Sequence, residues 1–231
     1  MNTLVSVNNL SKNFSRFEAV KNISFTINEG EILGLLGPNG CGKTTTIGMM
    51  LGLLKPTNGE VVINGLNVEK NRIKLLRRMN FISPYIELPK KLTVRENLMV
   101  YGKLYSVYGI KNRIDYLTET LRLGEFINKK TGELSSGQKN RVSLAKAVVN
   151  DPDILLLDEP TASLDPETGD FVRSFIEKIS SEKKMSVLLA SHNMNEVKRL
   201  CKNILMMKDG KIIDRGKPSE IINKHGKKNL E

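Results

Sequence analysis

Three short apolar runs, each ending in polar residues, constrain the fold of this sequence more than any other feature. They are EILGLLG (31–37), which continues into PNGCGKTTT, DILLLDE (153–159) and SVLLASH (186–192). Continuous apolar runs of this length, bounded by turn residues, are typical of strands buried on both faces of a parallel sheet. Ligands of open α/β sheets bind beyond the carboxyl ends of such strands. We therefore predict that the three polar clusters converge on one site.

The first cluster, GPNGCGKT (37–44), fits the phosphate-loop pattern GxxxxGK followed by Ser or Thr, and it precedes the predicted helical run TTTIGMMLGLL (44–54). Its glycines let the backbone turn amides towards phosphate oxygens, and the start of the helix adds partial positive charge. Lys43 can reach the outer phosphates, and the Thr44 hydroxyl can ligate a magnesium ion. The predicted phosphate-binding residues are Gly37, Pro38, Asn39, Gly40, Cys41, Gly42, Lys43, Thr44 and Thr45.

Lys43 is the first catalytic candidate, and the second and third clusters supply the others. Asp158 closes its apolar run and is placed to hold the magnesium ion, directly or through water. Alternation along an extended strand end is expected to turn Glu159 in another direction, towards an attacking water that it orients or deprotonates. A lone histidine after a buried strand is more often structural, but the shared strand-end position favours a catalytic His192. Its predicted role is a hydrogen bond to the γ-phosphate or the attacking water.

Cys41 lies inside the phosphate loop and has two interpretations. We favour a small side chain that faces away from the phosphate, as Ser or Ala would. The alternative is a reactive thiol, with a pKa lowered by the surrounding amides and Lys43.

Size and composition limit the class of protein. A chain of 231 residues, 39% of them hydrophobic, suits one domain or two tightly packed lobes. No run of about eighteen apolar residues and no secretory signal pattern occurs, and two cysteines suit a reducing cytosol. The net charge of +11 could serve an anionic partner, but 25 of the 36 basic residues are lysine. A codon bias towards AT-rich triplets is a rival explanation.

Five motifs occur in a fixed order along the chain: GPNGCGKT, LSSGQ (134–138), ILLLDEP (154–160), SLD (163–165) and ASH (190–192). In this order they resemble the ATP-binding subunit of an ATP-binding cassette (ABC) transporter, over nearly the whole chain. No NKxD guanine-reading motif occurs. The resemblance implies ATP and a magnesium ion as cofactors, ATP hydrolysis, and integral membrane subunits as partners.

The LSSGQ segment resembles the family signature, usually LSGGQ, which begins a helix and contacts the γ-phosphate of ATP held by a second subunit. The residues agree, since Ser135 is a good N-cap and QKNRVSLAKAVV has apolar positions at helical spacing. The resemblance implies a head-to-tail dimer, most simply a homodimer, with two ATP molecules between the subunits. It places Asp165 in a loop at that interface, and it assigns contact with the second subunit's ATP to Ser135, Ser136, Gly137 and Gln138.

The predicted fold is α/β, a three-layer phosphate-loop NTPase core with a mainly parallel sheet, a small antiparallel β edge and an inserted helical lobe. TVRE (93–96) is predicted as a capping box, and NLMVYGKLYSVYG (97–109) as an amphipathic helix. We predict one ATP-binding domain over 1–231, with a core lobe at about 1–84 and 150–231 and a helical lobe at about 85–149. In the family this lobe carries the signature and docks on the membrane partner.

One aromatic residue is assigned to the adenine by the resemblance. Phe14, in SKNFSRFEAV, matches the position where the family places an aromatic ring against the base, and Phe has a suitable face for stacking. Phe17 is close enough in sequence to make the choice between the two ambiguous.

The stretch NFISPYIELP (80–89) fits no simple strand or helix. In the family this segment ends the strand before the helical lobe, contacts the membrane partner, and carries a glutamine that touches the magnesium ion and the attacking water. Counting back from LTVREN places that glutamine near Pro84, between Ser83 and Tyr85, and the only glutamine of the chain is Gln138. Three interpretations stay open: a hydroxyl of Ser83 or Tyr85 replaces it, the metal keeps an extra water, or the site hydrolyses slowly and signals mainly by binding.

Two functional classes follow. The first is the motor subunit of a membrane transporter, peripheral on the cytoplasmic face of the membrane; the stretch 30–65 resembles exporters of drugs, lipids or polysaccharides. The second is a soluble ABC-type ATPase acting on ribosomes or DNA. One domain and no coiled coil favour transport, with no nucleic acid partner expected.

Overall fold

The structure is a computed structural model that describes residues 2–84, 86–162 and 164–225. Within these ranges the strands are Thr3–Phe14 (β1), Phe17–Asn28 (β2), Ile32–Leu36 (β3), Asn58–Ile63 (β4), Leu66–Asn67 (β5), Met79–Ile82 (β6), Ile154–Asp158 (β7), Ser186–Ser191 (β8), Asn203–Lys208 (β9) and Lys211–Gly216 (β10). The α-helices are Lys43–Met50 (α1), Val68–Leu76 (α2), Val94–Leu104 (α3), Ile110–Thr120 (α4), Ser136–Val148 (α5), Pro166–Lys183 (α6), Met194–Leu200 (α7) and Pro218–His225 (α8). None of these helices is long and apolar enough to cross a membrane.

The central layer is a six-stranded sheet in the order β10-β9-β3-β8-β7-β6. Strands β9, β3, β8, β7 and β6 are parallel, and only the edge strand β10 is antiparallel to its neighbour. The three apolar runs of the sequence form the adjacent strands β3, β8 and β7. Their carboxyl ends therefore lie side by side, which confirms the predicted convergence of the three polar clusters.

Both faces of the central sheet are covered. Along β7, Ile154 and Leu156 pack in a hydrophobic cluster with α1 and the antiparallel sheet β2-β1-β4-β5. Leu155 and Leu157 pack on the opposite face, in a cluster with residues of α3 to α7. This alternation buries every residue of the strand, which is why the sequence shows a continuous apolar run. The three-layer α/β architecture with an antiparallel β edge is confirmed.

Gly34 in the middle of β3 allows α7 to lie directly on the sheet. A Cβ atom at this position would lie 2.7 Å from Val197 Cγ1 and 2.8 Å from Ile204 Cγ2. Distances this short require a shift of the neighbours, so glycine is needed here for space. The close packing fixes α7, and with it the turn between β8 and α7.

Two helices are shorter than their sequence patterns predicted. Helix α1 ends at Met50, because the amides of Leu53 and Leu54 both donate to the Gly48 carbonyl and close a turn in which Gly52 has a φ of 64°. Helix α3 begins with the predicted capping box, in which Thr93 Oγ1 accepts from the Glu96 amide. It ends at Leu104, so the prediction of helix as far as residue 109 is wrong.

The resemblance predicts that the segment 80–89 ends a strand, and its first residues do so. Met79–Ile82 form β6, which pairs in parallel with β7. Four residues of strand are too few to show a clear pattern before the proline. Helices α3, α4 and α5 follow between β6 and β7, and the lobe boundaries at 84/85 and 149/150 stay a prediction.

Candidate active site

The phosphate loop connects β3 to α1. Gly40 and Gly42 have φ values of 80° and 109°, in the left-handed region that favours glycine. A Cβ on Gly37 would lie 2.2 Å from the Met207 carbonyl oxygen, so this glycine is required by a close backbone approach. The first amides of α1 have no acceptor within the helix, and they are the natural ligands for phosphate oxygens.

Lys43 begins α1 and its side chain is buried inside the loop. Its Nζ donates to the carbonyl oxygens of Gly37, at 2.6 Å, and Pro38, at 3.1 Å. The same atom lies 3.6 Å from Glu159 Oε1. The ammonium group is therefore next to both the loop and the candidate catalytic carboxylate. Its contact with the outer phosphates stays a prediction.

Thr44 and Asp158 form a pair of oxygen ligands. The Thr44 hydroxyl donates to Asp158 Oδ2 at 2.7 Å, although 114 residues separate them in sequence. Burial raises the pKa of Asp158, while the hydrogen bond from Thr44 lowers it. Hard oxygen donors of this kind suit Mg²⁺, which takes few protein ligands and completes its shell with phosphate oxygens and water. No group of three or more His, Cys, Asp or Glu residues that could hold a metal alone occurs in the described ranges.

Glu159 points away from Asp158, but not for the predicted reason. Its φ is 52°, so the backbone leaves the extended conformation immediately after β7. The Glu159 amide donates to the Ala190 carbonyl of β8 at 2.9 Å, which fixes this turn. The predicted alternation along an extended strand is therefore wrong, although its consequence, two carboxylates with different surroundings, is present.

His192 holds the Glu159 carboxylate from a second side. The His192 amide donates to Glu159 Oε1 at 3.0 Å, and Nδ1 of its ring lies 2.8 Å from Oε2. A carboxylate acceptor requires the hydrogen on Nδ1, so in the neutral ring Nε2 is an acceptor. About half of the His192 side chain is exposed, which leaves the other edge of the ring accessible.

The signature residues form a second surface. Ser135 Oγ accepts from the Gln138 amide at 3.3 Å, and Gln138 Oε1 accepts from the Ser135 amide at 3.1 Å, which makes a capping box at the start of α5. These residues, with Ser136 and Gly137, line a shallow cavity of about 580 Å³ that Asp165 also lines. Within the described ranges no hydrogen bond or ion pair links this surface to the phosphate loop.

Asp165 has a structural contact of its own. Its Oδ1 accepts from the Thr168 amide at 2.9 Å and caps α6. Hydrogen bonds from Thr168 hold the pKa of Asp165 below its usual value. The carboxylate is thus ionised and exposed beside the signature residues.

The loop after β6 approaches the same edge of the sheet. Ile82 pairs with Leu157, so the buried Ser83 follows at the level of Asp158. Ser83 also lines a cavity of about 330 Å³ together with Asn140 and Pro160, the residue after Glu159. Tyr85, the other candidate in this loop, lies outside the described residues.

Phe14 and Phe17 face each other at the tip of the β1–β2 hairpin. Their exposed fractions are 44% and 62%, and Lys12 Nζ lies 5.1 Å from the centre of the Phe14 ring. Both rings are accessible, so the contact with adenine stays a prediction for Phe14.

Cys41 does not have the surroundings of a reactive thiol. The side chain is 4% exposed and packs in the cluster between the two sheets. Burial raises the pKa of Cys41, and this effect exceeds the opposing effect of Lys43. The hypothesis of a lowered pKa is wrong. The favoured interpretation, a small side chain facing away from the phosphate, agrees with the burial of Cys41.

Three polar residues near this site were not predicted. Glu196 in α7 accepts from the hydroxyls of Thr161 and Ser191, which lie close to Glu159 and His192. The serine of ASH and an acidic residue in the next helical turn were visible in the sequence. Nothing in the sequence pairs Glu196 with Thr161, because that contact joins helix α7 to the turn after β7, 35 residues away.

A mainly parallel sheet with a phosphate loop, a Thr–Asp pair and a Glu–His pair at its carboxyl edge defines a phosphate-loop nucleoside triphosphatase. A family model described as ABC transporter matches residues 20–162. Bacillus subtilis (strain 168) has a relative, the ABC transporter ATP-binding protein NatA, that is 36% identical over 202 residues, 86% of this chain and 82% of that protein. The bacitracin transport ATP-binding protein BcrA of Bacillus licheniformis is 35% identical, over all of this chain and 75% of that protein.

Solved structures agree with these relatives. A dimeric ATP-binding cassette in a post-hydrolysis state, bound to ADP and Pi, superposes with a TM-score of 0.85 at 29% identity, over 93% of this chain and 99% of that chain. The protein cbiO1 from Clostridium perfringens, part of the ABC transporter complex cbiONQ, has a TM-score of 0.85 at 29% identity, over 97% and 92% of the chains. This chain belongs to the ABC transporter family, as an ATP-binding and ATP-hydrolysing protein.

Proposed function

We propose that this chain is the ATP-hydrolysing motor of a membrane exporter, bound to integral membrane subunits on the cytoplasmic face of the membrane. Support for export comes from relatives such as the bacitracin transport protein and the Nod factor export ATP-binding protein I of Rhizobium johnstonii, which is 38% identical over 92% of this chain. The same relatives favour transport over a soluble ATPase acting on ribosomes or DNA. The cargo is expected to be chosen by the membrane subunits.

The observation that carries hydrolysis is the Glu159 carboxylate held between Lys43 and His192. In this proposal ATP draws the Lys43 ammonium towards the outer phosphates, which frees Glu159 to orient and deprotonate the attacking water. His192 keeps the carboxylate in place through its amide and Nδ1. Its Nε2 accepts from the water when the ring is neutral, and donates to the γ-phosphate only when the ring is protonated.

A magnesium ion fits the pair formed by Thr44 and Asp158. The two oxygens are already 2.7 Å apart, and a cation beside Asp158 would offset the cost of burying its carboxylate. When bound, the ion would neutralise charge on the outer phosphates. The chain's own contribution is to hold the hydroxyl and the carboxylate at the start of α1.

Two copies of the chain are needed to enclose each nucleotide. The signature surface at the start of α5 offers helix amides and serine hydroxyls to an anion, and it lies apart from the phosphate loop of its own chain. We assign it to the ATP of a second subunit in a head-to-tail dimer. ATP binding would close this dimer and hydrolysis would reopen it, which moves the attached membrane subunits between two states.

The catalytic assignment is tested by Glu159→Gln in the assembled transporter, with Glu60→Gln as a control for loss of an exposed carboxylate remote from the site. Glu159→Gln should abolish ATP hydrolysis and retain ATP binding, while Glu60→Gln should keep full turnover. Unchanged turnover in Glu159→Gln would refute the assignment. Ser83→Ala and Tyr85→Phe, measured in parallel, report whether either hydroxyl replaces the glutamine that this family normally has.

The exporter assignment is tested by purifying the tagged chain from detergent-solubilised membranes. Recovery with integral membrane subunits, and ATP-dependent movement of cargo away from the side that carries this chain, are the expected results. Recovery with ribosomes or DNA and no membrane subunit would contradict the assignment.

A further inference from the structure

Glu196 is a buried carboxylate beside the active site that the mechanism above does not use. It lies in the first turn of α7, and only 2% of its surface is exposed. Its Oε1 accepts from the Thr161 hydroxyl at 2.7 Å, and its Oε2 accepts from the Ser191 hydroxyl at 2.6 Å. No lysine, arginine or histidine of the described ranges forms an ion pair with it. Burying a carboxylate without a cation is costly, and the hydrogen bonds from the two hydroxyls offset that cost.

The two hydroxyls belong to the segments that carry the candidate catalytic pair. Thr161 lies two residues after Glu159, in the turn that follows β7. Ser191 directly precedes His192, and its Oγ also accepts from the Asn193 amide at 3.0 Å. One carboxylate thus spans the two backbone segments whose side chains meet in the Glu159–His192 contact.

The start of α7 is capped by the Asn193 side chain rather than by Glu196. Asn193 Oδ1 accepts from the amides of Asn195 and Glu196, at 2.9 and 3.3 Å, and so caps the helix. Val197 anchors the helix on the sheet at Gly34. The Glu196 side chain is therefore free to act between the two loops rather than within the helix.

We propose that Glu196 is a positioning residue for ATP hydrolysis, which fixes His192 relative to Glu159 by holding Thr161 and Ser191 at a set separation. Loss of this bridge allows the two loops to move apart, so that the Glu159 carboxylate loses its orientation towards the attacking water. A displacement of about 1 Å at a reacting group can lower a rate by up to two orders of magnitude. The inference rests on the roles proposed above for Glu159 and His192.

The test is Glu196→Gln in the full chain, in its wild-type form and in a His192→Ala background. Glu196→Gln should lower kcat about tenfold and leave the KM for ATP unchanged, because the phosphate-binding residues are untouched. In the His192→Ala background the same substitution should lower single-turnover hydrolysis less than about twofold, because Glu196 acts through His192. A purely structural role would give the same loss in both backgrounds.

Glu31→Gln is the matched control. Like Glu196, Glu31 is a hydrogen-bonded carboxylate: it accepts from the Asn28 amide and from the side-chain amides of Asn28 and Asn203. It lies at the opposite end of the sheet. Glu31→Gln should lower the thermal midpoint and leave kcat unchanged. An unchanged kcat in Glu196→Gln, a full tenfold loss in the His192→Ala background, or a loss that appears equally in Glu31→Gln would each overturn the proposal.

If Glu196→Gln does not fold, two further variants test the positioning role of Glu196. Thr161→Val and Ser191→Ala each remove one arm of the bridge, and each should lower kcat several-fold at constant KM. Wild-type kcat in both would overturn the proposal. Glu159→Gln distinguishes failure of the positioning role from failure of the catalytic assignment. If Glu159→Gln abolishes hydrolysis while Glu196→Gln does not lower kcat, only the positioning role of Glu196 fails. Full turnover in Glu159→Gln would refute the catalytic role of Glu159 itself.

Discussion

At the scale of single residues, the site separates two neighbouring carboxylates by backbone conformation. Asp158 ends β7 in an extended conformation and meets Thr44, whereas Glu159 turns into the left-handed region and meets Lys43 and His192. A non-glycine residue in that region costs roughly 1 kcal/mol or more. The chain therefore accepts local strain at the residue assigned to the attacking water.

Cys41 gives a prediction about reactivity. We expect iodoacetamide at about pH 7.5 to leave Cys41 unmodified in the folded chain, because burial excludes the reagent and raises the pKa of the thiol. Each unit of increase in pKa lowers the thiolate fraction about tenfold. Mass spectrometry of the folded and the guanidinium-unfolded chain measures the labelling. The buried Cys201 is the internal reference, and rapid labelling of Cys41 alone in the folded chain would contradict the prediction.

Gly34 gives a prediction about packing. Gly34→Ala should lower the free energy of unfolding by about 1–3 kcal/mol, because the new methyl group overlaps Val197 and Ile204. Gly124→Ala is the control, since nothing lies within 4 Å of a Cβ there, and it should change stability by less than about 0.5 kcal/mol. Urea denaturation measures both. Equal stabilities of the two variants would mean that α7 does not depend on close contact with β3.

At the scale of helices and strands, the described part of the chain shows two capping boxes with different roles. Thr93 and Glu96 cap α3, and Ser135 and Gln138 cap α5 with the same pattern of reciprocal hydrogen bonds. Only the second lies in the segment assigned to the ATP of a second subunit. Substitutions at the two capping boxes can therefore distinguish the contribution of a cap to helix stability from the use of a helix start as an anion site.

Ser135→Ala and Thr93→Ala should each lower the free energy of unfolding by about 1 kcal/mol, because each removes one N-cap acceptor. Only Ser135→Ala should also lower ATP hydrolysis, since its hydroxyl is assigned to the nucleotide of the partner. Urea denaturation and steady-state turnover, measured on the same preparations, give the two numbers. Equal turnover in the two variants would reduce Ser135 to a helix cap.

The elements that the sequence predicted well are those whose cause is local. The apolar runs of β3, β7 and β8, the capping box at Thr93 and the N-cap at Ser135 depend on spacing within a few residues. The features it missed depend on distant contacts: the left-handed Glu159 is fixed by the Ala190 carbonyl, and Glu196 meets Thr161 across the fold. Contacts of this kind become visible only when the strands are in register.

At the scale of the whole molecule, the helices inserted between β6 and β7 are joined to the catalytic edge of the sheet by polar contacts. Asn140 of α5 donates from Nδ2 to the Pro160 carbonyl at 3.0 Å, directly after Glu159. Thr161, the next residue, is held by Glu196 from the other side. The short segment after Glu159 is therefore hydrogen-bonded both to α5 and to α7, next to the candidate catalytic carboxylate.

The net charge of +11 gives a prediction for the proposed dimer. Two copies with this charge repel each other at long range, and salt screens that repulsion, with a Debye length of about 10 Å at 0.1 M. The ATP-stabilised dimer of Glu159→Gln should therefore tighten several-fold between about 0.05 M and about 0.3 M NaCl. Analytical ultracentrifugation at saturating ATP measures the dissociation constant, and Glu159→Gln with Lys43→Ala, expected to bind ATP poorly, is the monomeric control. A dimer that weakens with salt would mean instead that attraction between local charges at the interface outweighs the repulsion between the two chains.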